Sequence, residues 1–479
     1  MKHGMERRTF LETAGASAGL GGLLGAGCAT VKTAEVGMKK ETGLRGDITA
    51  LVNATPFVDT HEHLCEESHR IRSKTEKTDI PAPDLGILFS HYSDSDLQVS
   101  GMPPEDYQRL RAWNVSPKEK WKLVAPYYAR CRHTGYQQCV RESIRALYGE
   151  DDIREDNCEA ISEKIAAQIA PGFYNRLLKE AANLEYCQVN ALDVAVFRKS
   201  AQPELLAQDL WTIGISSGIN MKTLTAAAEG APVKTLEDVH AVIDHCFDTY
   251  GPRAIAVKDQ CAYARALQFD PVTTETAAPI FTRFAQDEQS ISATERKALQ
   301  DHLFRRCLAK AEEHHLPVKL HTGYYAGHNG MPLGRVRDNA SDLCALAHEF
   351  PHINFVLMHI DYPYQDELIA MTKHYKNVYA DMCWAWIINP AASVRFLKEF
   401  LMAAPAHKVF TFGGDYIYAE LVPGHAQVAR RGLAQAISEL VEENWLAESE
   451  APALVDRIMR GNAHETFDYA RAFRNCTQS

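Results

Sequence analysis

Two histidines stand one residue apart in "FVDTHEHLCEESHR", residues 57–70, behind a short apolar run and just after Asp59. In a strand, residues i and i+2 project to the same side. His61 and His63 can therefore offer two imidazoles to one ion. The pair alone carries little, because the chain has 20 histidines and could show such a spacing by chance. The plain alternative is a polar loop after a strand. The pair gains weight from four residues further on: Lys258 in "AIAVKDQ", His321 in "PVKLHTG", His359 in "NFVLMHID" and Asp415 in "KVFTFGGD". Each has a bland reading of its own: a satisfied core histidine, an ion pair of Lys258 with Asp259, a turn at Gly413-Gly414-Asp415. Together they recur at the ends of short apolar runs. Imidazole plus carboxylate suits Zn²⁺ foremost, with Mn²⁺ and Fe²⁺ as alternatives.

Those residues need elements to bring them together. From about residue 186 onward, strand-like runs alternate with amphipathic helical segments. "TLEDVHAVIDHCFDTYG" reads as a helix capped by Thr235 and Asp238 and stopped at Gly251. With 56–60 as the first strand and "YCQVNALDVAVF" and "LWTIGIS" as the next two, the alternation counts eight. That pattern predicts an α/β fold of the parallel (β/α)₈, TIM-like barrel type. Its C-terminal strand ends converge on one mouth, where residues distant in sequence meet. Between the first and second strands, roughly 65–185, apolar residues fall at helical spacing and no buried strand is evident. This segment predicts a large helical insertion beside the mouth, within a barrel domain covering 47–479.

The ordered set resembles the amidohydrolase superfamily, especially its amidohydrolase 2 branch. "FVDTHEH", "VKLHTG", "VLMHID" and "FTFGGDY" resemble its first-, fifth-, sixth- and eighth-strand motifs; "NVYADMCW" and "IMRGNAHETF" also look like that branch. The resemblance implies that His61, His63 and Asp415 bind metal, with His321 as a further ligand. It gives His359 either a second metal or the task of polarising the substrate. It implies one or two ions, bridged by Lys258 where that lysine carries a carbamate. A bare ammonium has no lone pair to offer. The chemistry implied is hydrolysis by a metal-activated water, with Asp415 and His359 catalytic. Arg265, Tyr324, Arg335, Arg337, Trp384 and Tyr416 fall near strand ends and are candidates for holding a small polar or carboxylated substrate. The same scaffold hosts decarboxylases and uronate isomerases. A non-catalytic binding lipoprotein is the alternative from another class.

Composition sets the outer bounds. The 479 residues are 46% hydrophobic and 24% charged, an ordinary globular balance. A net charge of -11 argues against nucleic acid as a partner. The 12 cysteines include no CxxC pair. "ERRTFLETAGASAGLGGLLGAGCAT" carries Arg7-Arg8 and a mild apolar stretch, resembling a twin-arginine export signal over residues 1–30, with a polar linker over 31–46. Export of a folded, periplasmic protein is the expectation. "LGAGC" adds the reading of a lipid anchor at Cys28, although Gly25 stands where a larger apolar residue is usual. The expected partners are a small-molecule substrate, the twin-arginine export machinery and, as an open alternative, a second copy of the chain.

Overall fold

The computed structural model describes residues 43–76, 78 and 80–477. The export signal, the Cys28 anchor and nearly all of the linker lie outside the described residues. A helix, Leu44–Ala54, leads into the first strand.

The strands are β1 (Phe57–Glu62), β2 (Leu184–Val189), β3 (Leu206–Gln208), β4 (Leu210–Trp211), β5 (Val257–Asp259), β6 (Val318–Leu320), β7 (Phe355–Leu357), β8 (Val378–Asp381) and β9 (Val409–Phe410). Every neighbouring pair runs parallel, in the orders β1-β2-β3 and β4 through β9. β3 and β4 flank Asp209 and together fill one strand position, the Asp209 N–H still donating to the Val189 carbonyl at 2.9 Å. The chain after β9 bonds back to β1. Thr60 N donates to Phe412 O at 3.0 Å, Asp415 N to His61 O at 2.9 Å and His63 N to Tyr416 O at 2.9 Å. Phe57 stacks on Phe412 with ring centres 4.7 Å apart. These contacts link the eighth strand position to the first, as a (β/α)₈ barrel requires.

The helix Leu236–Tyr250 begins with the reciprocal cap read from the sequence, Thr235 with Asp238. The helix Ala293–Glu313 uses Ser292 and Glu295 in the same way. Two strand expectations need correction. The run 186–197 stops being a strand at Val189, because the next residue turns to serve the site: its carbonyl, on Asn190, accepts from the His63 ring at 2.8 Å. "LWTIGIS" is extended only at Leu210–Trp211 and then winds into a tight turn at Ile213–Ile215.

Among the described residues between β1 and β2 the chain forms six α-helices, of which Pro117–Cys131 and Gly135–Tyr148 are the longest, and a π-helical segment, Asn175–Ala181. The latter lies tightly against the helix Val422–Glu442. A Cβ on Gly424 would come within 2.1 Å of the Cys139 carbonyl, so only glycine allows this approach. Arg70, fully buried, donates from Nε to Glu420 Oε1 at 2.7 Å and ties the start of the insertion to the residues after β9. Among the described residues no helix is long and apolar enough to cross a membrane.

Candidate metal centre

β1 carries His61 near its end, and His63 follows one residue beyond it. Both aim an Nε2 at one oxygen of Asp415: His61 at 2.9 Å and His63 at 3.1 Å from Oδ1. Each imidazole nitrogen thus lies about 3 Å from the carboxylate oxygen, a spacing that neighbouring ligands take on one ion with bonds of about 2.1 Å. His63 donates from Nδ1 to the Asn190 carbonyl, which frees its Nε2 lone pair. Asp415 sits in the left-handed region, φ 64°, and its carbonyl accepts from the Tyr92 hydroxyl. All three side chains are buried. Burial drives the His61 imidazole well below its ordinary range, aided by the Lys258 charge, so it stays neutral and able to ligate. Burial alone would raise the Asp415 carboxyl; the two imidazoles override it and hold the group well below the usual carboxylate range. Two imidazoles facing a firm carboxylate are a fitting donor set for a divalent ion.

His359 joins this cluster. Ring nitrogens of His61 and His359 and an oxygen of Asp415 all lie within 4.8 Å of one another. His359 Nδ1 lies 3.0 Å from Cys383 Sγ, while its Nε2 is buried with no partner. His359, Ile360 and Asp361 all have positive φ, 63°, 51° and 52°, so the backbone holds a strained course to present this ring. His321 is less engaged. It packs against His359 at 4.4 Å between ring centres, but its Nε2 donates to the Tyr324 carbonyl at 3.0 Å. Burial, with Lys258 next, lowers its ring to about 3. Lys258 is fully buried, and its one hydrogen-bond partner among the described residues is the Met358 thioether at 3.0 Å.

The expected substrate-holding residues divide. Trp384 lies at the centre, its ring 5.3 Å from His359 in a T-shaped contact and stacked on Tyr92 at 4.6 Å. Tyr324 is half-buried, 6.0 Å from Trp384. The others are spent elsewhere. Arg265 turns outward to Asp301 Oδ1, 2.5 Å away on the helix Ala293–Glu313, and lies over Phe269. Arg335 braces the loop after β5 by donating to the Ala262 and Tyr263 carbonyls at 2.7 and 2.9 Å. Arg337 is exposed on the turn Leu333–Asp338. Tyr416 meets Cys139 Sγ through its hydroxyl at 3.2 Å and is locked under the insertion.

Four features escaped the sequence. The insertion brings His91 and Tyr92 to the centre; His91 has a buried, unpartnered Nδ1 and is lowered by burial to about 4. Tyr136, also from the insertion, parallels Trp384 at 6.2 Å. Asp59 and Glu62 are buried together against Gly414, and burial raises Asp59 to about 7. Lys319 is buried on β6, donating to both oxygens of Asp209 at 2.9 and 3.0 Å and to the Thr60 carbonyl at 2.9 Å. Only Lys319 had a legible signal: it stands two residues before His321, on the same strand face.

Fold and site together define a parallel α/β barrel with a histidine–aspartate centre at its C-terminal strand ends. Residues 231–469 match the Amidohydrolase family model, Amidohydro_2, and the chain belongs to the amidohydrolase superfamily. Among curated proteins it is 27% identical over 179 residues to Protein fluG of Emericella nidulans, covering 35% of this chain and 20% of that one. The chain thus spans about a fifth of that relative's length. Among solved structures it resembles the uronate isomerase of Thermotoga maritima, TM-score 0.69 at 16% identity over 88% of this chain and 97% of that one. The glucuronate isomerase of Caulobacter crescentus gives 0.69 at 16% over 90% and 94%. A protein described as a metal-dependent hydrolase from Lactobacillus casei gives 0.61 at 14% over 89% and 97%. At these identities the likeness is one of fold.

Proposed function

We propose that this protein is a metal-dependent hydrolase acting on a small polar or carboxylated substrate. The observation that carries the reading is the convergence of His61 and His63 on Asp415 Oδ1, inside the mouth of the barrel. His61, His63 and Asp415 would hold one divalent ion, Zn²⁺ foremost. A bound divalent ion brings the pKa of water down to about 7 and polarises an oxygen of the substrate. Asp415 takes the proton from the attacking water and returns it to the leaving group. His359 faces the same point and stabilises the charge that builds on the substrate oxygen. Tyr92, Tyr136 and Trp384 cover the site and exclude bulk water.

A second reading has its own support. The likeness to two uronate isomerases extends over 88–90% of this chain, which takes in the helical insertion as well as the barrel. In that reading the same ion and Asp415 serve proton transfer between neighbouring carbons, with no water consumed. Mass spectrometry in ¹⁸O-labelled water separates the two. The purified, metal-loaded protein is offered a panel of lactones, N-acyl amino acids and uronates. Hydrolysis places one solvent oxygen in the product and adds the mass of water. Turnover of a uronate with neither change would overturn the hydrolytic reading. Export through the twin-arginine route belongs to the same proposal. Its test is periplasmic yield after Arg7 and Arg8 are both changed to Lys, which should fall to near zero.

A further inference from the structure

His359 can serve the site in two ways, depending on which ring nitrogen carries the proton. With the proton on Nδ1, Nε2 offers a lone pair to an ion. With the proton on Nε2, the ring offers a hydrogen bond to substrate. The tautomer is set by whatever the other nitrogen meets. A metal-bound histidine usually meets a carboxylate or carbonyl there, as His63 does at Asn190. His359 Nδ1 meets a thiol instead, Cys383 Sγ at 3.0 Å, with both residues fully buried.

Sulfur is a weak acceptor, whereas the bare nitrogen of a neutral imidazole is a good one. The favoured arrangement is S–H donating to Nδ1. We infer that Cys383 is a positioning residue that holds His359 in its Nε2–H tautomer, making it a hydrogen-bond donor to substrate and not a ligand of a second ion. Three further observations support this. The Nε2 atom is buried and meets no other protein group, which leaves it free to face substrate. A ring nitrogen of His359 lies within 4.8 Å of an Asp415 oxygen, and a negative charge so near favours the tautomer that turns its N–H toward it. The chain also takes care to place the thiol: Thr60 Oγ1 donates to Asp381 Oδ2 at 2.7 Å, and Asp381 Oδ1 accepts from the Cys383 N–H at 3.0 Å. Residue 413 is glycine where a Cβ would sit 2.7 Å from that of Cys383.

The inference rests on the proposed site only in its last step, the donation to substrate; the tautomer itself is tested without turnover. The metal-free protein is labelled with ¹⁵N-histidine, and the His359 signals are identified by their loss in His359→Gln. Long-range proton–nitrogen correlations then show which nitrogen bears the proton. The expected result is Nε2–H in the wild type and in Cys383→Ser, whose hydroxyl also donates. In Cys383→Ala the Nδ1–H form should appear. A wild-type ring protonated on Nδ1 would overturn the inference, as would an unchanged Nε2–H ring in a folded Cys383→Ala protein. Once a substrate is known, Cys383→Ala should lose roughly 10-fold or more in kcat, with Cys383→Ser restoring most of it. That pattern would be missing if the thiol merely filled space.

Discussion

Lys258 and Lys319 are register partners on adjacent strands, both fully buried, and they live in opposite circumstances. Lys319 has three acceptors, two of them on the carboxylate of Asp209 and one on the carbonyl of Thr60. Lys258 has a thioether. An ammonium can donate three hydrogen bonds, and burying it unpaired is costly. Lys319 thus reads as a strut: it ties β6 to Asp209, where β3 and β4 meet, and to β1. Lys258 reads as a group kept incomplete by the fold, beside the cluster of His61, His321, His359 and Asp415. Residue type and burial are the same in both; the partner set separates structure from function.

The largest effect expected from breaking this comparison falls on the strut. Lys319→Met leaves the Asp209 carboxylate buried and uncompensated. It should cost about 3–5 kcal/mol, the usual penalty for removing one partner of a buried pair. Lys258→Met removes a charge with no ion-pair partner and replaces it at similar volume. Its cost should stay under about 1.5 kcal/mol. Urea denaturation of the two variants is the measurement, and equal losses would erase the distinction.

Next in size is Asp415→Asn, which probes the functional side. If Asp415 moves a proton, its loss should lower kcat and kcat/KM together by about 10²–10⁴-fold, while His61 and His63 keep part of the metal. Activity within a few-fold of wild type in the metallated variant would mean that Asp415 only forms its turn. His61→Ala with His63→Ala should remove most of the metal by elemental analysis. Lys258→Met should leave the ion held by His61, His63 and Asp415 in place. Loss of metal in Lys258→Met to the level of the double histidine variant would show that Lys258 is itself part of the ion's binding.

These parts were unequally legible before folding, for physical reasons. The barrel was legible because strand and helix periods repeat eight times, and each repeat is evidence for the next. His61, His63, His359 and Asp415 were legible because they follow apolar runs, and parallel topology brings all such ends to one mouth. Arg265 and Arg335 were misjudged because position near a strand end does not say where a long side chain goes. Arg265 found Asp301 on an outer helix, and Arg335 found two loop carbonyls. His91, Tyr92 and Tyr136 were invisible, since no local period says which residues of an insertion will touch a centre built by other strands. Cys383 could have been noticed beside Trp384, but the thiol's partner, His359, lies 24 residues earlier.

The smallest expected effect is also the most specific to Lys258, because it concerns how stability changes with pH. Burial lowers the pKa of this ammonium from its ordinary 10.5, against a weaker opposing pull from Asp415. Between the folded and unfolded values the unfolded chain binds more protons than the native one. Native stability therefore rises with pH across that interval, and the full penalty of charging Lys258 in the core is felt below it. Lys258→Met carries no such penalty. In metal-free protein the variant should gain most, relative to wild type, below the folded pKa. The gain should shrink as the pH climbs toward 10.5, where both states of the wild type lose the proton. Urea midpoints for both proteins at three pH values between 7 and 10 read this directly. A difference that is flat, or that widens with pH, would mean that Lys258 is not an uncompensated charge. Its contrast with Lys319 would then lie in packing and not in electrostatics.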